Sequence, residues 1–111
     1  MKDNLVYLRH IVEAIDKIDS YLAGFDFEKF SLNDLIFDAV IRELEIIGEA
    51  ANKVEVKFQD SHPEIPWRKM IAIRNLLIHE YFGVNPKIVW ETCQTDLKEL
   101  KAVLKTLLSD K

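Results

Sequence analysis

The sequence predicts an all-α fold, a homodimeric up-and-down bundle of four to five helices in one domain spanning residues 1–111. Three observations lead there. Apolar residues recur at helical spacing in four segments, and cap residues precede several of them. No stretch reads as a strand with a partner strand. One helix is apolar around most of its circumference, which predicts burial on more than one side and a second subunit against it.

The first helix opens at the cap Asp3. Leu5, Leu8, Ile11, Val12, Ile15, Ile18 and Leu22 form its stripe, and Gly24 ends it. Phe25 to Phe30 alternates aromatic and charged residues and is expected to be a packed loop. Ser31, with Asp34 three residues on, makes a capping-box signal for the second helix, which runs to about Val54. Its apolar positions are Leu35, Ile36, Phe37, Ala39, Val40, Ile41, Leu44, Ile46, Ile47, Ala50 and Ala51. Gly48, Ala50 and Ala51 allow another helix to approach closely. A central helix of a monomeric bundle would show the same pattern. Arg42, Glu43, Glu45 and Glu49 read as a solvated face; the alternative is that Glu49 pairs with an arginine of a cleft.

A turn with two prolines, Asp60 to Pro66, leads into the third helix, with Pro66 in its first position. Met70, Ile71, Ile73, Leu76, Leu77 and Ile78 bury that helix, and Gly83 closes the run. Asn85 and Pro86 are a cap and first-turn pair for the fourth helix. Its stripe is Ile88, Val89, Trp90, Cys93, Leu97, Leu100, Val103, Leu104 and Leu107. Lys98, Lys101 and Lys105 on the other side read as solvated. Trp67 and Trp90 are expected as core or interface anchors, His10 as a surface residue and His62 as a solvated turn residue.

Composition narrows the function. No apolar run reaches the ~18 residues that a membrane span needs, and the N-terminal residues lack the form of a signal peptide. Cys93 is the only cysteine, so neither an internal disulfide nor a cysteine-based metal site is available. These features favour the cytoplasm. The three histidines show no metal-ligand spacing, and there is no glycine-rich phosphate loop. The net charge of −4, from 15 Lys and Arg against 19 Asp and Glu, is not that of an obvious nucleic-acid binder. An RNA role therefore needs a local basic cleft.

The chemistry concentrates in Arg74-Asn75-Leu76-Leu77-Ile78-His79-Glu80-Tyr81. It joins an always-charged guanidinium to a group that titrates near neutral pH. Arg74 and His79 are five residues apart, so on an ideal helix they point ~140° from each other. They can act together if the helix ends near His79 and the imidazole turns back, or if a two-fold axis brings the same pair from a second chain alongside.

Here the chain resembles the HepT-like toxins of the HEPN superfamily. Arg74, His79 and Tyr81 match the family's R-x-x-x-x-H-x-Y motif, and Asn75 matches the polar residue that often follows the arginine. Pro63-Glu64-Ile65-Pro66-Trp67-Arg68, Ile46-Ile47-Gly48-Glu49-Ala50-Ala51 and Tyr81-Phe82-Gly83-Val84 extend the likeness, which covers roughly residues 3 to 108. The resemblance implies an all-helical homodimer with paired motifs at a cleft between subunits. It implies a metal-independent endoribonuclease with no cofactor, acting as the toxin beside a small nucleotidyltransferase antitoxin of the MNT type. It also implies silencing by AMP transfer to Tyr81. Arg74 and His79 are then catalytic, for phosphate binding and proton transfer, while Asn75 and Tyr81 position substrate. The alternative function is a non-catalytic helical interaction module that binds a nucleotidyltransferase or a nucleotide through the same cleft.

Overall fold

The computed structural model describes residues 3–79 and 84–109, except the side chains of Leu76, Ile78 and His79. Among the described residues every regular element is helical. They are α1 (Asn4–Leu22), α2 (Phe27–Ser31), α3 (Asp34–Lys53), α4 (Val56–Ser61), α5 (Trp67–His79), α6 (Pro86–Glu91), a π-helical turn (Thr92–Asp96) and α7 (Leu97–Ser109). The last three run end to end as one long helix, so the four predicted helices are all present. Two short ones join them.

Local chemistry accounts for the boundaries. The Leu5 amide donates to Asp3 Oδ1 at 3.1 Å, which caps α1 as expected. Gly24, at φ +81°, supplies the left-handed turn that ends it. Asn85 caps α6 by accepting from the Lys87 amide at 2.9 Å, with Pro86 in the first turn.

Three expectations are corrected. Phe25 to Phe30 is not all loop, since Phe27 to Phe30 are helical. Asp26 accepts from the Lys29 amide at 2.8 Å and starts α2, and Phe30 is fully buried between Phe37 and Trp90, at centroid separations of 5.6 and 5.3 Å. Ser31 does not cap the next helix. Its hydroxyl donates to the Glu28 carbonyl inside α2, and Asn33 caps α3 through the Ile36 amide. Asp60 and Ser61, expected in the double-proline turn, instead belong to the short helix α4.

The fourth helix also carries a π turn that its periodicity does not foretell. Its buried residues Val89, Cys93 and Leu97 advance by four residues twice. That spacing drifts around an ordinary α-helix. The wider turn, closed by Leu97 N–H donating to the Thr92 carbonyl, takes up the drift and keeps the stripe on the core.

The helices form one contiguous apolar core. The central helix α3 packs between α1 and α5, and α7 packs on α1. Helices α1 and α3 run antiparallel, because Asn4 at the start of one exchanges two 3.0 Å hydrogen bonds with Glu55 just past the end of the other. Val40, Leu44, Ile47 and Ala51 are fully buried or nearly so. Packing between α1 and α5 thus accounts for the two-sided burial of α3 within a single chain. Two sets of charges brace the outside. Lys101 of α7 reaches Asp16 and Asp19 of α1 at 2.6 and 3.2 Å, and Lys69 of α5 reaches Asp96 in the π turn at 3.5 Å. Lys101 is therefore not the solvated lysine that its spacing suggests.

Several single residues fall as expected. Trp67 is buried, with its indole N–H donating to the His62 carbonyl at 3.0 Å. Cys93 is a core residue, and burial, with Asp19 nearby, pushes its thiol up to about 12. His10 is exposed. His62 differs, since it is half-buried on the Phe58 ring at a centroid distance of 4.5 Å. Among the described residues no helix is long and apolar enough to cross a membrane.

Candidate active site

The site is built where α3 and α5 touch. Helix α5 turns Met70 and Leu77 into the core, and Arg74 lies one turn from each, on the same side. An arginine there must thread its stem past a neighbouring helix to bring its charge to water. Gly48 makes the passage. A Cβ on Gly48 would lie 2.1 Å from the Arg74 Cβ and 3.0 Å from both the Arg74 Cγ and the Met70 carbonyl oxygen. Glycine at 48 is therefore what allows α3 to approach α5 at the root of the Arg74 side chain. The close approach expected of the Gly48 segment is realised at this point.

The guanidinium emerges partly exposed, at 29% for the side chain. Its Nε donates to Glu49 Oε2 at 2.8 Å, and its Nη1 donates to Asn75 Oδ1 at 3.3 Å. The Glu49 side chain is 49% exposed, so the pair sits at the rim, not in the core. The expectation of a solvated glutamate face is corrected here. Glu49 takes the alternative role and pairs with the arginine, while Glu43 on the same helix is buried. Glu49 follows Gly48 directly, and a glutamate beside a close-approach glycine is the signal the sequence carries for it.

The structure brings together two of the four expected site residues, Arg74 and Asn75. Helix α5 is continuous from Trp67 to His79 among the described residues. The backbone sets Arg74 and His79 five residues apart on that one helix. The His79 side chain and all of Tyr81 lie outside the described residues.

A family model for HepT-like ribonucleases matches residues 11–107 of this chain. The chain belongs to the HepT-like ribonuclease family. This family lies in the HEPN superfamily, and its all-helical character agrees with the fold described above. The chain is 38% identical over 108 residues to "Putative RNase TTE0752" of Caldanaerobacter subterraneus subsp. tengcongensis, covering 97% of this chain and 96% of that one. It is 44% identical over 101 residues to "Probable ribonuclease HepT" of Thermococcus cleftensis, covering 91% and 92%. It is 35% identical over 100 residues to "Putative RNase MJ1380" of Methanocaldococcus jannaschii, covering 90% and 92%. No solved structure matches it.

Chemically, the HepT-like site offers a fixed cation at the surface. Guanidinium is planar, permanently charged and suited to gripping two oxygens of a phosphate at once. Glu49 and Asn75 engage Nε and Nη1, and neither bond uses Nη2.

Proposed function

We propose that this protein is a metal-independent endoribonuclease in which Arg74 binds the scissile phosphate and His79 moves the proton. Membership of the HepT-like ribonuclease family and the names of its relatives support the activity class. The observation that carries the assignment of residues is the Arg74 guanidinium, held at the surface by Glu49 and Asn75, on the helix that also carries His79.

In this reading His79 accepts the proton of an RNA 2′-hydroxyl as its oxygen attacks the adjacent phosphorus. Arg74 donates to the non-bridging oxygens as charge builds on the phosphorane. The bond to the 5′ oxygen then breaks, and the proton passes to that leaving oxygen. The products are a 2′,3′-cyclic phosphate and a 5′-hydroxyl. Asn75 holds the guanidinium and meets the sugar, and Tyr81 hydrogen-bonds substrate. A net charge of −4 makes this cation the local attraction for RNA in an otherwise acidic protein.

Two copies of the chain form the working unit in this proposal. Positions five apart on an ideal helix face ~140° from each other, so in this reading a two-fold pairing supplies the complementary groups across a cleft. Apolar side chains remain on the surface for such an interface, with Leu32 and Leu35 at 78% and 79% exposure beside the α2–α3 junction.

The protein acts as the toxin of a toxin–antitoxin pair, and an MNT-type nucleotidyltransferase silences it. The phenol oxygen of Tyr81 attacks the α-phosphorus of ATP, pyrophosphate leaves, and the attached AMP presents its phosphate to Arg74 in place of RNA. Mass spectrometry of the Tyr81 peptide, after co-expression with the neighbouring nucleotidyltransferase, tests this step. One or more added AMP units support it, and a silenced protein with unmodified Tyr81 overturns it.

The activity itself is tested by incubating purified protein with RNA in excess chelator and identifying the new ends. Cyclic phosphate ends that disappear with His79→Ala are expected. Cleavage that requires added metal, or that persists in His79→Ala, contradicts the mechanism.

A further inference from the structure

We propose that Glu49 is the positioning residue for Arg74 in RNA cleavage, an inference that rests on the function proposed above. Two features of the structure converge on it. Glu49 is on α3 and Arg74 on α5, so the 2.8 Å bond between them crosses between helices. Gly48, the residue before Glu49, fixes the root of the Arg74 side chain by close approach of the two backbones. The carboxylate then fixes the other end at Nε. A long side chain with several rotatable bonds is thus held at both ends, by consecutive residues of one neighbouring helix.

The choice of nitrogen matters. A guanidinium offers two edges for bidentate contact with an oxyanion, one made by Nε and Nη2 and one by Nη1 and Nη2. The bond to Glu49 occupies Nε and so directs the Nη1–Nη2 edge toward the phosphate. Asn75 takes one hydrogen of Nη1, and the second remains. A carboxylate beside a phosphate-binding cation has an electrostatic cost, because it lowers the local positive potential. Its gain is orientation of the fork before RNA arrives, so less ordering is left to the bound state. Glu49 touches no reacting atom in this scheme and acts only through Arg74.

The opposite role is chemically open to the same contact. A carboxylate on the arginine can block phosphate from binding, and then its removal raises activity. The experiment separates the two.

Initial-rate kinetics on a short RNA are measured for wild type, Glu49→Ala, Glu49→Gln, Arg74→Ala and the Glu49→Ala/Arg74→Ala double variant. In parallel, the Nε–H resonance of Arg74 is followed by nitrogen–proton NMR. Glu49→Ala is expected to lower kcat by about 10–100-fold, with a smaller change in KM, as a misplaced catalytic group does. Glu49→Gln, whose side-chain oxygen can still accept from Nε, should recover much of that loss. The double variant should be no worse than Arg74→Ala. The Nε–H signal should be sharp and slow to exchange in wild type and Glu49→Gln, and should broaden in Glu49→Ala.

If Arg74→Ala is inactive but Glu49→Ala equals or exceeds wild type, the positioning role is overturned and the ribonuclease reading stands. The positioning role is also overturned if Glu49→Ala slows the reaction further in the Arg74→Ala background, because Glu49 then acts independently. If Arg74→Ala cuts RNA as fast as wild type, the function proposed above fails as well. Glu49 is half exposed, so its variants are expected to fold, and circular dichroism checks this.

Discussion

Gly48→Ala is the most demanding perturbation the structure offers. A methyl group at 48 would be 2.1 Å from the Arg74 Cβ and 3.0 Å from the Met70 carbonyl oxygen. Both contacts are with the start of a side chain or with backbone, so rotating a flexible tip cannot relieve them. Carbons rest about 3.5–4.0 Å apart, which requires α3 and α5 to separate locally by roughly 1.5 Å. Overpacking of this kind costs about 1–3 kcal/mol, and the size of this overlap places it at the upper end. Against it, alanine is better than glycine in a helix interior by about 0.8–1.0 kcal/mol. The net loss is then about 2 kcal/mol, or a fall in Tm of roughly 8 °C for a chain this short. Thermal unfolding followed by circular dichroism measures it. The displaced helix should also break the Arg74–Glu49 contact, and RNA cleavage should fall further than stability alone explains. Gly24→Ala is the control, since Gly24 has φ +81° and, its chain neighbours aside, no atom of the described residues lies within 4 Å of where its Cβ would sit. It should cost about 1–2 kcal/mol through backbone strain alone and leave activity intact. A Gly48→Ala protein as stable as wild type would refute the close packing of α3 on α5 that places Arg74.

Other consequences follow from individual contacts. Arg74→Lys should recover little of the activity lost in Arg74→Ala, because an ammonium lacks the planar fork; kcat on a short RNA decides this. The bonds to Asp16 and Asp19 raise the Lys101 ammonium above its usual value of 10.5. A cation raised on folding contributes stability that is complete below the unfolded value and is lost as pH climbs through the folded one. Lys101→Met should therefore be less stable than wild type at pH 7–9, with the gap closing above pH 10.5, as urea titrations across that range would show. Cys93, buried with its thiol pushed up to about 12, should resist iodoacetamide in the native protein at pH 8 and react once the chain is unfolded. Rapid alkylation of native protein would contradict its core placement.

Much of this fold is legible in the sequence because the signals are local and mutually consistent. Asp3, Gly24, Asn85 and Pro86 mark helix ends through their own backbone chemistry, and each acts where that chemistry predicts. The apolar stripes of α1 and α7 have the helical period. Sequence and structure part where two local signals compete. Ser31 and Asn33 are both cap residues, and Asn33 caps α3 because Ser31 already belongs to α2. Phe25 and Phe27 alternate with charged residues, while Phe27 and Phe30 have the spacing of a helical turn. Tertiary packing on Trp90 decides for the helix. The π turn is not legible, since it answers to how the stripe of the last helix meets the core. At the site, Arg74 and Asn75 are legible from the motif and lie together. Glu49 is legible only as the less favoured alternative, because a glutamate on a long helix is ordinarily solvated. The three-dimensional meeting of α3 with α5 decides for that alternative and makes the arginine Arg74.

Arg74 is proposed above as the phosphate-binding group of a ribonuclease. The direct measurement is the rate of cleavage of a defined RNA, in excess chelator, by wild type and by Arg74→Ala at equal concentrations of folded protein. Loss of a donor that stabilises the developing oxyanion predicts a fall of about 10²–10³ in kcat, with the circular dichroism spectrum unchanged. An Arg74→Ala protein that cleaves at the wild-type rate would contradict the account.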